Sequence, residues 1–193
     1  MGGREEMAEI TLIRHGRSTH IENQRINHVE FQNWVEKYDS SGVFEETTYP
    51  SLTCNKIQSA HLIVTSDLKR SIDSAKLLHK EKQKISKQLF RETELPVLSK
   101  EVRLKLKPNS WAIILRCLWF CGYSKQCESF KEAKQRANKA AKQLINDTEK
   151  HSSVVLVGHG LFNRLIAREL RKLGWKGKRK SSVKNWGSTT YYK

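Results

Sequence analysis

The sequence predicts an α/β fold, a three-layer sandwich in which helices cover both faces of a mostly parallel sheet, with a small cap insertion. Two observations support this prediction. Short apolar runs rich in β-branched residues alternate along the chain with longer segments of helical period. Two of these runs, 9–14 and 152–158, lead into a histidine beside a glycine, as expected where a strand enters a loop. Strands that alternate with helices form layered sheets, so we expect one domain over residues 1–193.

The first half of the chain holds the expected first, second and third strands. Apolar, β-branched runs predict the strands, and spacings of three and four predict amphipathic helices between them. Asp67 is expected to cap the N-terminus of the helix that follows the second strand. In chain order the expected elements are a strand at 9–14, helices at 28–38 and 51–60, a strand at 61–65, a helix through 72–78 and a strand at 85–90.

The second half begins with a segment that we expect to lie over the sheet. Residues 96–126 contain Pro108 and the apolar run 111–121, and they form the predicted cap insertion. The remaining predicted elements are a helix at 129–150, a strand at 152–158, a helix at 161–173 and a strand at 187–192. The final strand is expected to close the sheet at an edge.

The charge of the chain indicates an anionic partner. Lys and Arg number 36 against 20 Asp and Glu, which gives a formal net charge of +16. Residues 171–184 include seven basic residues and no acidic one. This stretch is explained either by a solvated, solubilising surface or by a patch for nucleic acid or an acidic ligand. We expect a phosphorylated small molecule or another anionic substrate; nucleic acid is possible but not favoured.

No metal ion and no cofactor are expected. The four cysteines form no CxxC pair, and Cys117 and Cys121, four residues apart in the apolar run, are expected to pack in the core on one helix face. That run is interrupted by Arg116 and is shorter than the roughly 20 residues of a membrane span. The N-terminus lacks the apolar segment of a signal peptide, so we expect a cytoplasmic protein with no membrane partner.

Two histidines follow predicted strands. His15 comes after the first strand and His159 after the fourth, 144 positions later. Ligands of parallel α/β sheets bind at the carboxyl ends of strands. We therefore expect the fold to bring these two side chains together at one site.

Four segments, in order, resemble the motifs of one family. They are Leu12–Ser18, which contains Arg-His-Gly, then Ser66–Ser71, Phe90–Glu92 and Val157–Gly160. Together they resemble the histidine phosphatase (phosphoglycerate mutase-like) superfamily, and they span nearly the whole chain. Four ordered elements in matching strand-end positions are far more specific than a single tripeptide.

The resemblance and the chemistry imply the same roles. His15 is the expected nucleophile, which carries a phosphoryl group while its ring is uncharged. Arg14 and Arg70 are expected to bind the phosphoryl oxygens and to disfavour the imidazolium form of His15, so that no metal is required. His159 is expected to donate a hydrogen bond to the phosphoryl group. The implied activity is that of a metal-independent phosphatase acting on phosphomonoesters.

The residues leave two candidates for the proton donor, and the chain departs from the family pattern at two places. Glu92 and Glu94 lie two apart and share a face of an extended segment, and the family pattern favours Glu92 as the acid. Many members carry an asparagine six residues after the nucleophile, where this chain has Ile21, with Asn23 two positions later. The stretch that often follows the acid is replaced by 95–98, so substrate preference cannot be transferred from those relatives.

Two other functions are considered. A cofactor-dependent phosphoglycerate mutase uses the same histidine but returns the phosphoryl group to a substrate hydroxyl, and its members are usually longer, with more elaborate lids. A non-catalytic basic module would bind an anionic partner through 171–184. The short cap favours hydrolysis over transfer, because a transferase must shield phosphohistidine from water.

Overall fold

The computed structural model describes residues 7–99 and 102–193 and confirms the predicted α/β class. Within that part of the chain the strands are β1 Glu9–Arg14, β2 Leu62–Thr65, β3 Lys84–Ser86, β4 Ser153–Gly158, β5 Lys176–Gly177 and β6 Ser188–Tyr192. They form one sheet in the order β3-β2-β4-β1-β6-β5. The first four are parallel, whereas β6 and β5 run antiparallel to their neighbours. The predominance of parallel pairing agrees with the prediction.

Helices cover both faces of the sheet. They are α1 His28–Ser40, α2 Ser51–Ser59, α3 Lys69–Leu78, α4 Pro108–Phe120, α5 Phe130–His151 and α6 Gly160–Lys172, with a 3₁₀ helix at Gln88–Phe90. Successive strand residues point to opposite faces. Leu12 and Leu156 accordingly join the core under α5 and α6, whereas Ile13 and Val157 join the core under α2 and α3.

The long helix α5 follows the prediction from its N-terminus to its buried face. Ser129 caps it, since its hydroxyl accepts from the backbone N–H of Glu132 while the Glu132 carboxylate accepts from the N–H of Ser129. Its buried face consists largely of alanine, including Ala133 and Ala137. Small side chains let the helix approach the sheet closely, and α6 packs beside it.

The segment predicted as a cap packs against α1 and, through Trp119, against the core under α5 and α6. Phe31 of α1 joins Trp111 and Leu115 of α4 in a third apolar cluster, apart from the two cores of the sheet. The prediction that Cys117 and Cys121 are buried is wrong, because both are exposed. The buried positions of α4 are 108, 111, 115 and 119, which share one face of the helix, whereas Cys117 lies on another face and Cys121 follows the helix.

Three further predictions are corrected. Asp67 does not cap α3, because its carboxylate instead pairs with Arg91 (2.6 Å) and the residue before the helix is Leu68. The third strand ends at Ser86, and the rest of the expected run forms the 3₁₀ helix. The final strand β6 is not at the edge, because the two-residue strand β5 pairs along its outer side.

The pairing of β1 with β4 positions the site. The two strands are parallel and in register, with Arg14 opposite Gly158. The residues that follow them, His15 and His159, therefore emerge side by side at the carboxyl edge of the sheet. None of the helices in the described ranges is long and apolar enough to cross a membrane.

Candidate active site

His15 is held in place by its backbone on both sides. Its N–H donates to the carbonyl of Gly158 (3.0 Å), and its carbonyl accepts from Nδ2 of Asn185 (3.0 Å). The side chain is only 3% exposed. The nucleophile proposed from the sequence is thus a buried and positioned ring at the end of β1.

The imidazole of His15 is uncharged with a defined tautomer. Nδ1 lies 2.7 Å from the carbonyl oxygen of Gly16, which can only accept, so Nδ1 carries the proton and Nε2 keeps its lone pair. Burial lowers the pKa of His15 to about 3, with further lowering by Arg70 and Arg14 and a partial offset from the Gly16 hydrogen bond. Nε2 is therefore available as a nucleophile at neutral pH.

His159 lies against His15 as the sequence predicts. Their ring centroids are 5.2 Å apart at 60°. Nε2 of His159 is 2.6 Å from Oγ of Ser66, and the ring is fully buried. Burial lowers the pKa of His159 well below its usual value, and the neighbouring His15 and arginines act in the same direction. Both rings of the pair are therefore neutral.

Arg70 and Arg14 reach the site from different elements. Arg70, near the start of α3, is 3% exposed; its Nη1 donates to Oδ1 of Asp39 (2.8 Å), and its guanidinium lies 4.6 Å from the ring centroid of Tyr38. Arg14 ends β1, and its Nη1 donates to the carbonyl of Val183. These contacts orient both cations, which lie close enough to lower the pKa of His15.

Three nitrogens of this group are buried without a partner. Among the described residues, no acceptor lies within hydrogen-bond distance of Nε of Arg14, Nε of Arg70 or Nδ1 of His159. Buried polar groups are usually hydrogen-bonded, so these three nitrogens are candidates to donate to acceptor oxygens of a ligand. The arrangement suits an anion with several acceptor oxygens.

The two glutamates predicted to compete as acid differ in their surroundings. The Glu92 carboxylate accepts from the backbone N–H groups of Thr93 (3.0 Å), Leu161 (3.0 Å) and Phe162 (2.9 Å). The last two N–H groups open α6, immediately after His159, so Glu92 stabilises the N-terminus of that helix. Glu94 has an exposed side chain.

Gly16 allows the loop after His15 to pass beneath an aromatic ring. A Cβ at this position would lie 2.0 Å from Cζ2 of Trp186. The Gly16 N–H donates to Oγ of Ser74 (2.8 Å), whose hydroxyl in turn donates to the carbonyl of Arg70 (2.6 Å). The tight turn and α3 are therefore coupled through a buried hydroxyl.

Sequence reasoning missed several residues that support the site. Asp39 and Tyr38 end α1, Ser66 follows β2, and Asn185 and Trp186 precede β6. Only Ser66 lay inside a recognised motif, and a polar residue directly after a predicted strand is the signal that could have identified it. Ile21, which stands where many family members have an asparagine, and the nearby Asn23 are both exposed.

The described ranges contain no group of three His, Cys, Asp or Glu side chains arranged to hold a metal ion. The nearby cations are arginines, which bind anions through fixed N–H groups. The site therefore offers N–H donors to an anion and an available lone pair at Nε2 of His15.

Comparisons with known proteins identify the family of this chain. A family profile described as histidine phosphatase superfamily (branch 1) matches residues 51–191, well over half of the chain. The match begins after the Arg14–His15 segment. No curated protein sequence matches the chain.

Solved structures resemble the whole fold. A phosphoglycerate mutase from Bacillus anthracis is 16% identical with a TM-score of 0.59, covering 97% of this chain and 89% of that one. A phosphoserine phosphatase from Entamoeba histolytica, in complex with 3-phosphoglyceric acid, is 14% identical with a TM-score of 0.56, covering 94% and 89%. A mycobacterial glucosyl-3-phosphoglycerate phosphatase is 17% identical with a TM-score of 0.55, covering 86% and 80%. With the family profile, these similarities lead to one conclusion: the chain belongs to branch 1 of the histidine phosphatase superfamily.

Proposed function

We propose that this chain is a phosphatase that hydrolyses phosphomonoesters, without a metal ion, through a phosphohistidine on His15. The observation that carries the proposal is the set of three unpartnered buried nitrogens on Arg14, Arg70 and His159 around an uncharged ring. A phosphoryl group has acceptor oxygens for all three and an electrophilic phosphorus for Nε2 of His15. Guanidinium forks supply charge neutralisation that a metal ion supplies in other phosphatases.

The proposed reaction has two steps. Nε2 of His15 forms a bond to phosphorus while the bond to the ester oxygen breaks, and the leaving oxygen takes a proton from an acid. Water then attacks the phosphohistidine, returns a proton to that acid, and releases orthophosphate with a neutral imidazole. In both steps the donors on Arg14, Arg70 and His159 are fixed before charge develops, which is the condition for electrostatic stabilisation of a transition state.

Glu92 is our proposed acid because it lies beside the N-terminus of α6, directly after His159, whereas Glu94 points to solvent. In that position the Glu92 carboxylate accepts from three backbone N–H groups, so its oxygens are oriented before substrate binds.

The substrate class that we propose is the small phosphomonoester. The solved relatives include phosphatases whose names specify phosphoserine and glucosyl-3-phosphoglycerate. The aromatic residues Trp34 and Tyr38 of α1 stack with ring centroids 5.2 Å apart. Tyr38 also contacts Arg70, so this pair links the cap side of the molecule to the phosphoryl-binding group.

The decisive experiment measures hydrolysis of p-nitrophenyl phosphate, phosphoserine and 3-phosphoglycerate in EDTA, with acid-quench trapping of phosphorylated protein. The wild type should turn over at least one ester and form an acid-labile phosphoprotein, and His15→Asn should do neither. His151→Asn is the matched control, because His151 ends α5 at the opposite end of the sheet. Turnover that persists in His15→Asn, or a wild type inactive on all three esters, would overturn the proposal.

A separate experiment tests the proton donor by comparing the hydrolysis rates of esters with different leaving groups. A proton donor matters most for an alkoxide and least for p-nitrophenolate, so Glu92→Gln should slow phosphoserine hydrolysis by about 10²-fold or more and p-nitrophenyl phosphate hydrolysis much less. Glu94→Gln should leave both rates near the wild type. Equal losses on both esters would assign Glu92 to helix capping alone.

A further inference from the structure

A second group of cations lies outside the candidate active site. Five basic side chains line a cleft of about 430 Å³, and its lining includes no acidic and no aromatic residue. They are Arg164, Arg168, Arg171, Arg179 and Lys180. None of them has a role in the proposed phosphoryl transfer.

Two chain segments form the walls of this basic cleft. Arg164, Arg168 and Arg171 follow one another at intervals of four and three on α6, so they share one face of the helix. At 1.5 Å of rise per residue, the three span roughly 10 Å along the helix axis. Arg179 and Lys180 come from the loop after β5. Cations thus face one another across the cleft and also extend along it.

The positive charges of the cleft are not neutralised by salt bridges within the described residues. All five side chains are exposed, and none forms a salt bridge within residues 7–99 and 102–193. Lys172, on the same helix, is paired instead, with its Nζ 2.7 Å from Oε1 of Glu169. Like charges held in one cleft repel, and this repulsion is relieved when an anion binds.

The chemistry of the lining selects among anions. Guanidinium groups bind phosphate oxygens in bidentate geometry, and a row of three can engage successive phosphates of one chain. Single-stranded nucleic acid is normally held by aromatic side chains on which bases stack, and this cleft has none. Its volume falls within the range of about 300–1,000 Å³ typical of small-ligand sites. A short, highly charged chain of phosphates fits these features.

We propose that this cleft is a non-catalytic binding site for a linear oligophosphate, either inorganic or as the triphosphate of a nucleotide. Binding neutralises Arg168 and Arg171 together with Arg179 and Lys180 across the cleft. The site begins one helical turn beyond Gly160, which lies against Arg14 (a Cβ there would be 3.4 Å from its Nε). The two anion sites are therefore neighbours on α6 but share no side chain, and this proposal is independent of the proposed phosphatase activity.

The test is isothermal titration calorimetry of the full chain with tripolyphosphate at about 150 mM NaCl, where surface charges are well screened. The variant R168E/R171E reverses two charges in the cleft. The matched control is K139E/K142E, which has the same spacing and charge change on exposed positions of α5 that form no salt bridge in the described ranges. R168Q/R171Q removes the charges without reversal, and thermal unfolding verifies that each variant is folded.

We expect tripolyphosphate to bind the wild type and K139E/K142E equally, and to bind R168E/R171E and R168Q/R171Q at least about tenfold more weakly, because charge-assisted hydrogen bonds are lost. Any binding in the His15 pocket would survive in both cleft variants. Equal weakening in the control would reduce the effect to net charge and overturn the proposal. Orthophosphate binding as tightly as tripolyphosphate would overturn the oligophosphate class.

A nucleoside triphosphate and a single-stranded oligonucleotide are used to distinguish inorganic, nucleotide and nucleic-acid ligands. A nucleoside triphosphate could bind as tightly as tripolyphosphate, with the same dependence on Arg168 and Arg171. This result would support a site that recognises only the phosphates. Much tighter binding of the nucleotide supports a nucleotide ligand. A single-stranded oligonucleotide that binds more tightly than both, through the same arginines, would overturn the small-ligand assignment in favour of nucleic acid.

Discussion

Lowering the pH from 8 to 5 should destabilise this protein in part through one buried ring. In the folded chain, burial lowers the pKa of His15 to about 3, whereas in the unfolded chain it titrates near 6.5. As the pH falls through 6.5, the unfolded chain binds a proton that the folded chain does not. The free energy of unfolding therefore falls with pH over this window, and the contribution is complete only below about pH 3.

The size of the effect follows from the shift. A change of about 3.5 pKa units corresponds to roughly 5 kcal/mol in the limit of low pH, at about 1.36 kcal/mol per unit. At pH 5, which is 1.5 units below the unfolded pKa, about 2 kcal/mol of this is lost. Domains of this size have total stabilities of about 5–15 kcal/mol, so the loss is measurable. His159, with a pKa lowered by burial, adds to the effect with the same sign.

The assay is urea unfolding at pH 8 and pH 5 of the wild type and His15→Asn. Asparagine is chosen because its amide can still donate to the carbonyl of Gly16, as Nδ1 of His15 does. The variant should lose about 2 kcal/mol less than the wild type between the two pH values, because it lacks the His15 titration. His151→Asn should behave like the wild type. Equal losses in the wild type and His15→Asn would refute the claim that burial keeps His15 uncharged.

Three substitutions test the surroundings of the nucleophile. Gly16→Ala places a Cβ 2.0 Å from the ring of Trp186, so the free energy of unfolding in urea should fall by about 1–3 kcal/mol; an unchanged midpoint would contradict this reasoning. Ser66→Ala removes the 2.6 Å contact to Nε2 of His159 and should cost about 1–3 kcal/mol in the same assay, and a loss under 0.5 kcal/mol would argue for a replacement partner. Asp39→Asn weakens the ion pair that orients the buried arginine of α3, and KM for p-nitrophenyl phosphate should rise by roughly three- to tenfold with a smaller change in kcat. A fall in kcat at constant KM would count against this orienting role.

The spacing of apolar residues was sufficient to predict most of the fold, because these residues recur at helical or strand spacing within each element. The buried face of α5 and the apolar runs of β1 and β4 repeat at helical and strand spacing, so their positions follow from local sequence. The burial of Cys117 and Cys121 could not be predicted this way. Almost every side chain in that run is apolar, and tertiary packing against α1 and the main core selects which face of α4 turns inward.

The candidate-site residues that directly follow strands could be predicted from the sequence. Those that depend on contacts between distant residues could not. His15 and His159 follow the ends of adjacent strands, a rule that holds for many parallel sheets. The Asp39 contact to Arg70 joins residues 31 apart, and the Glu92 cap on α6 joins residues about 70 apart. No local pattern encodes such pairs. The edge strand β5 was missed because two exposed residues carry no periodicity.

The contacts that fix the nucleophile connect the two ends of the described chain. Asn185, 170 positions later, holds the carbonyl of His15, and the backbone of Trp186 and Gly187 bonds to Arg14 on either side. At about 5–20 residues per second, translation of that interval takes roughly ten to thirty seconds. During synthesis His15 therefore remains without these partners until residues 185–187 have been made. The proposed active site cannot assemble before that point, so translation delays the onset of the proposed reactivity.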